Sequence, residues 1–208
     1  MNAKIENLMS SRDITRKGAE KVAEIVRVGA ELLVEDGFTV VTIRRVAQRL
    51  GISHGHVGYY FPTRESLWQA VVDYEFRDFY DRYQSDLKTN TDDPQSCFDE
   101  YLGRWMDEYQ DRKVRSFFAH VEAYAEVNLA VAEIRDEIYE GILTRILERV
   151  RPLCIGVDDE QIKLRAMTVM ILFEGLASVS AFNPELVKPN NSFRQHMIDH
   201  ANAIVRGT

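Results

Sequence analysis

Between Thr42 and Thr63 the chain places three further helix-interrupting residues, Gly51, Ser53 and Pro62, at spacings that leave room for two short helices. Thr42 is a good N-cap, because its hydroxyl can accept from an otherwise unpaired first-turn N–H. Val46, Ala47 and Leu50 then share one face, and Gly51 follows as a stop that can take the positive φ other residues resist. Ser53 can cap a second short helix. That helix must end near Phe61, because Pro62 lacks an N–H and pushes its predecessor out of the α region. Two short helices joined by a tight glycine turn, with Ile52 pointing inward, predict a helix-turn-helix.

Helical spacing extends over the remaining chain. Residues 16–36 carry an apolar stripe of Val22, Ile25, Val26, Ala30 and Leu33, and Gly37 ends it. Thr63 caps a fourth, long helix through roughly Leu87. After the polar break Lys88–Pro94, Pro94 suits the first turn of a fifth. Periodicity continues through Tyr109, Phe117–Tyr124 and Ile134–Leu153, and two last helices are expected over about 159–182 and 192–206. No strand alternation, internal repeat or low-complexity tract is present in the sequence, so the expected architecture is all-α with about nine helices.

Charge points to where a partner would sit. The net charge is −7, yet residues 1–70 hold ten Lys/Arg against eight Asp/Glu, and residues 71–208 hold sixteen against twenty-five. From Thr39 to Arg64 there are four arginines and no carboxylate, so this stretch carries a positive local field suited to an anionic partner. The short third helix contains Gly55 and Gly58, each costing up to about 1 kcal/mol relative to Ala in a helix interior. Close approach of the backbone to a partner would explain them. The competing explanation is that they let helices cross tightly and that the neighbouring tyrosines are core.

Cys97 and Cys154 are 57 positions apart with no CxxC, which suggests free thiols, not a disulfide framework or a thiolate metal site. The first eighteen residues lack the apolar core of a secretory signal, and the strongly apolar run Met167–Phe173 stops at Glu174. A cytoplasmic protein with no membrane partner and no cofactor is therefore expected.

The segment GAELLVEDGFTVVTIRRVAQRLGISHGHVGYYFPTRESLWQAVV resembles the DNA-binding head of the TetR family of transcriptional regulators, over about residues 15–75. Gly37-Phe38, Thr42, Gly51-Ile52-Ser53, Tyr60-Phe61 and Arg64 carry the resemblance. It implies that Thr42, Tyr59, Tyr60 and Arg64 meet phosphates, that Arg44, His54 and His56 lie nearest the bases, and that Gly55 admits the backbone. Ser53 would serve as cap and phosphate donor. Many family members have Tyr where this chain has Gly58, which bears on sequence preference. The resemblance further implies a ligand-responsive repressor, bound as a homodimer to a pseudo-palindromic, double-stranded operator and released by a small molecule. On this reading residues 1–62 form the DNA-binding domain, with a flexible start over 1–14, and residues 63–208 the effector-binding and dimerisation domain.

Beyond residue 75 the residues themselves must be read. Tyr83, Trp105, Tyr109, Phe117, His120 and Tyr124 are candidates to line a pocket for an apolar or aromatic effector, although such stripes are also what ordinary cores look like. Met167, Met170, Ile171, Leu176 and Val179, with Met197, Ile198, Ala201 and Ile204, are the candidate dimer surface. Two alternatives compete with the regulator. His196 and His200 stand at i, i+4, as in a metal-dependent hydrolase, although Asp199 between them does not give the H-E-x-x-H order. The other is a helical protein-interaction module without DNA binding. Neither a phosphate loop nor a nucleophile elbow appears in the sequence, so no catalytic residue is assigned.

Overall fold

In the computed structural model, residues 16–76 and 93–208 are described in full and residues 77–85 by their backbone. Nine α-helices follow one another among the described residues: α1 Arg16–Asp36, α2 Ile43–Leu50, α3 His54–Tyr60, α4 Arg64–Ser85, α5 Pro94–Glu108, α6 Arg112–Ala125, α7 Leu129–Val150, α8 Asp159–Phe182 and α9 Ser192–Arg206. Short 3-10 turns stand at Arg151–Leu153 and Pro184–Val187. The all-α expectation holds, and the ends expected from Thr42, Gly51, Ser53 and Pro62 fall where those residues put them. The fourth helix, expected to reach about Leu87, is described to Ser85, and residues 86–92 of the polar break lie outside the described residues.

The chain forms two compact units, Met1–Tyr80 with Ser116–Asp136, and Asp81–Arg115 with Glu137–Thr208. In the first, α1 buries Ile25, Leu32 and Leu33. It passes α4 closely at Gly29, where an added Cβ would lie 2.5 Å from Val71 Cγ2. Gly37 ends α1 with φ 83°, a conformation that L side chains resist. The later part of α6 packs onto this corner. Ser116 Oγ donates to the Val34 carbonyl at 3.1 Å, the His120 ring lies against Gly37, and Tyr124 stacks on Phe38 with centroids 5.1 Å apart. Trp68 from α4 meets Phe38 and Tyr124 edge-on, closing a three-ring cluster.

In the second unit, Trp105 of α5 packs on Phe173 of α8 with centroids 5.3 Å apart. Helix α9 is held to α5 by Arg194, which donates to Asp107 at 2.6 Å and to the Gly103 carbonyl at 2.7 Å. Asn202 adds a bond to Asp99 at 2.7 Å. Helix α8 is apolar nearly all round and is long and apolar enough by length and composition to cross a membrane, more than the run Met167–Phe173 suggested. It packs on α9 and α5 and buries Val169, Met170, Phe173 and Leu176, and about a third of its most apolar stretch is buried.

Candidate nucleic-acid interface

The helix-turn-helix is built by local chemistry. The Thr42 hydroxyl accepts from the Arg45 N–H at 3.1 Å, capping α2. Gly51 takes φ 66°, its N–H and that of Ile52 turn back to carbonyls at the end of α2, and the chain reverses within three residues. Ser53 Oγ accepts from the His56 N–H at 3.2 Å and starts α3. After Phe61, Thr63 and Ser66 cap α4 reciprocally, Thr63 Oγ1 accepting from the Ser66 N–H and Ser66 Oγ from the Thr63 N–H.

Within its seven residues α3 buries Val57 alone, and its outward side carries His54, Gly55, His56 and Tyr59 exposed. A Cβ added at Gly55 or Gly58 would meet nothing within 4 Å, so tight helix crossing is not what these glycines serve. They leave an open strip of backbone on the surface. Tyr59 is 62% exposed and sets its ring edge-on to Tyr60, which is half-buried. His56 stacks on Tyr60 with centroids 5.9 Å apart, whereas His54 points elsewhere on the helix.

Arginines frame this surface unequally. Arg44 is exposed and forms no ion pair with a described residue, so its charge is unspent. Arg49 pairs with Glu35 of α1 at 3.2 Å, fastening α2 to α1. Arg64 is turned inward: Nε donates to the Val41 carbonyl and Nη2 to those of Phe38 and Thr39. Sequence reasoning missed these bonds, because their acceptors lie 23 to 26 residues upstream.

The residues expected to line an effector pocket are described within each unit separately. Trp105 and Tyr109 are buried together in the second unit, Trp105 Nε1 donating to the Tyr109 hydroxyl at 2.8 Å. Burial first, and then the Glu174 carboxylate to which it donates, push the Tyr109 hydroxyl well above the usual tyrosine value. Tyr101 and Phe173, both adjoining Trp105, complete this aromatic group. Phe117, His120 and Tyr124 belong to the first unit, where His120 and Tyr124 cover the Gly37–Phe38 corner. The side chain of Tyr83 lies outside the described residues.

The candidate dimer residues also divide. Met170, Leu176, Met197, Ile198 and Ala201 are buried within the chain itself, and Met167 and Ile204 are half-buried. Those five side chains are therefore already covered within their own protomer. Ile171 and Val179 are exposed, and with Leu164, Thr168, Gly175 and Phe182 they form one continuous stripe at i, i+3/i+4 spacing. Leu164 and Phe182 are stripe members that sequence reasoning did not single out.

His196 and His200 are exposed, their ring centroids 4.2 Å apart, and His200 Nδ1 bonds the His196 carbonyl at 3.1 Å. No group of three or more His, Cys, Asp or Glu that could hold a metal occurs among the described residues.

A capped helix-turn-helix with a sparsely buried second helix defines the chain as a helix-turn-helix regulator of the all-α type. Residues 25–71 match the bacterial regulatory proteins of the tetR family, so this segment is a head of that type and the chain is a DNA-binding transcriptional regulator. It is 28% identical over 178 residues to the HTH-type transcriptional repressor KstR2 of Mycolicibacterium smegmatis, spanning 84% of this chain and 73% of that protein. Two solved structures share the fold. A TetR transcription regulator from Haloarcula marismortui has a TM-score of 0.72 at 19% identity, over 89% of this chain and 98% of that one. A transcriptional regulator from Saccharomonospora viridis in complex with choline has a TM-score of 0.67 at 20% identity, over 90% of this chain and 96% of that one.

Proposed function

We propose that the chain is a cytoplasmic, effector-responsive repressor that binds a pseudo-palindromic operator as a homodimer. The observation that carries this reading is the outward surface of α3, which buries Val57 alone and offers His54, Gly55, His56 and Tyr59 beside the unspent charge of Arg44. Beyond Val57 and its packing on α2, most of this helix is not used inside the chain, and a major groove would accept the rest. The backbone strip at Gly55 and Gly58 allows close approach, Arg44 and His54 supply base-edge donors, and Thr42, Ser53, Tyr59 and Tyr60 border the groove toward the phosphates.

The second copy would cover the exposed stripe of α8, Leu164 to Phe182, since a face this apolar is costly to leave in water. Two α3 helices about 34–36 Å apart would then read half-sites one turn apart. The buried Tyr101, Trp105, Tyr109 and Phe173 rings with the Glu174 carboxylate suit a small aromatic or cationic effector, which the choline complex of the Saccharomonospora viridis protein supports as a class. An effector that binds the DNA-free arrangement better would release the operator through that difference in affinity.

The test is a titration of the purified protein against DNA from immediately upstream of its own gene, at two salt concentrations, beside a scrambled duplex. Tight, specific and salt-sensitive binding is expected. Equally weak binding to both duplexes under low salt overturns the reading.

A further inference from the structure

The corner between α1 and α2, Gly37 to Val41, is clasped from the start of α4. Arg64 donates from Nε to the Val41 carbonyl at 3.2 Å and from Nη2 to the carbonyls of Phe38 at 3.2 Å and Thr39 at 2.8 Å. Its guanidinium carbon lies 4.3 Å from the centroid of the Trp68 ring. Trp68 is buried, and its Nε1 donates to the same Val41 carbonyl at 2.8 Å. Thr42, the cap of α2, follows Val41 directly, and α2 in turn packs on α3.

We propose that Arg64 is a positioning residue for the DNA-reading surface and not a phosphate ligand: it locks the corner carbonyls and so sets the place of Thr42, α2 and α3. The inference rests on the DNA-binding reading and assigns the residue differently from the role the family resemblance implies. The two roles ask different things of the side chain. A phosphate contact needs a positive charge, which Lys supplies. The clasp needs a planar fork with several fixed donors and a flat face for the indole, which Lys cannot supply.

The experiment compares wild type, Arg64→Lys and Arg64→Gln, each shown by thermal melting to be folded at the assay temperature. For Arg64→Lys the expected result is about a tenfold loss of specific affinity at an unchanged salt slope, with binding to the scrambled duplex unaltered. In the absence of DNA, the indole N–H resonance of Trp68 should move while that of Trp105 stays in place. Trp68→Phe, which keeps a ring but removes the donor to Val41, should lose about fivefold at the same slope, and it serves if Arg64→Lys does not fold. Wild-type affinity in Arg64→Lys, together with a salt slope lowered by about one in Arg64→Gln, would overturn the proposal in favour of a phosphate ligand. Failure of the wild type to bind any operator would count against the regulator reading, and the Trp68 resonance would still judge the clasp: an unmoved signal overturns it.

Discussion

Helices α3 and α8 both leave much of their surface uncovered, with opposite chemistry. Helix α3 exposes histidines, a tyrosine and bare glycine backbone, whereas α8 exposes Leu164, Ile171, Val179 and Phe182. Water solvates the first surface well and the second badly. A polar surface next to arginines seeks a charged partner that can be released by salt or by a small change in spacing. An apolar stripe seeks a lasting one, such as a second copy of itself. On the proposed reading, reversible and durable contacts fall on different helices, and a change on α8 would reach DNA binding only through the loss of the second copy.

The sharpest way to break the comparison is to put a charge on each side of α8. Ile171→Glu should leave the fold intact, convert the dimer to monomers in sedimentation and weaken operator binding by about a hundredfold or more, because two linked heads bind far better than one. Leu176→Glu should instead destabilise the chain by about 3 kcal/mol or more in denaturant titration, since that side chain is buried within its own protomer. A folded monomer from Leu176→Glu, or an intact dimer from Ile171→Glu, would place the interface elsewhere.

On the α3 side, Arg44→Ala should reduce operator affinity about tenfold without changing the melting temperature. Gly58→Ala sharpens the contrast further. It should stabilise the chain by up to about 1 kcal/mol, because the added methyl meets open space, and still weaken specific binding where the backbone approaches DNA. Unchanged affinity would remove that strip from the contact surface. The smallest effect concerns the buried phenol of Tyr109, which holds its proton to higher pH in the folded chain than in the unfolded one. Stability should therefore fall as pH climbs above the ordinary tyrosine value of about 10. Tyr109→Phe should flatten that decline in thermal melts recorded across the alkaline range.

The head was legible because its signals are local. Thr42, Gly51, Ser53 and Pro62 act within four residues of themselves, through a cap, a positive φ or a missing N–H, and their consequences can be read without knowing the rest of the fold. Arg64 was not legible in the same way, since its partners are carbonyls that only folding brings near. In α8 the difficulty was a lack of contrast: with apolar residues nearly all round, nothing in the sequence distinguishes Met170 and Leu176, which face inward, from Ile171 and Val179, which face out. The surroundings of the ring-bearing residues of α5 and α6 were hard to read for a third reason. Helical spacing shows that they share a face, but not which neighbour that face will meet, and His120 and Tyr124 meet the Gly37–Phe38 corner.

The unit that contains α3 is assembled from two separate stretches of chain, because Ser116–Asp136 returns to join Met1–Tyr80. On the ribosome, which adds about 5–20 residues per second, the helix-turn-helix emerges early but lacks its full support until α6 follows. The braced form of this unit is therefore complete only once α6 has emerged. A fragment cut after α4 would carry every residue proposed to read bases and still lack the Ser116, His120 and Tyr124 contacts that brace the corner. Exchanging heads between relatives would for the same reason have to bring the second stretch along, so evolution by swapping this module is tied to two cut sites instead of one.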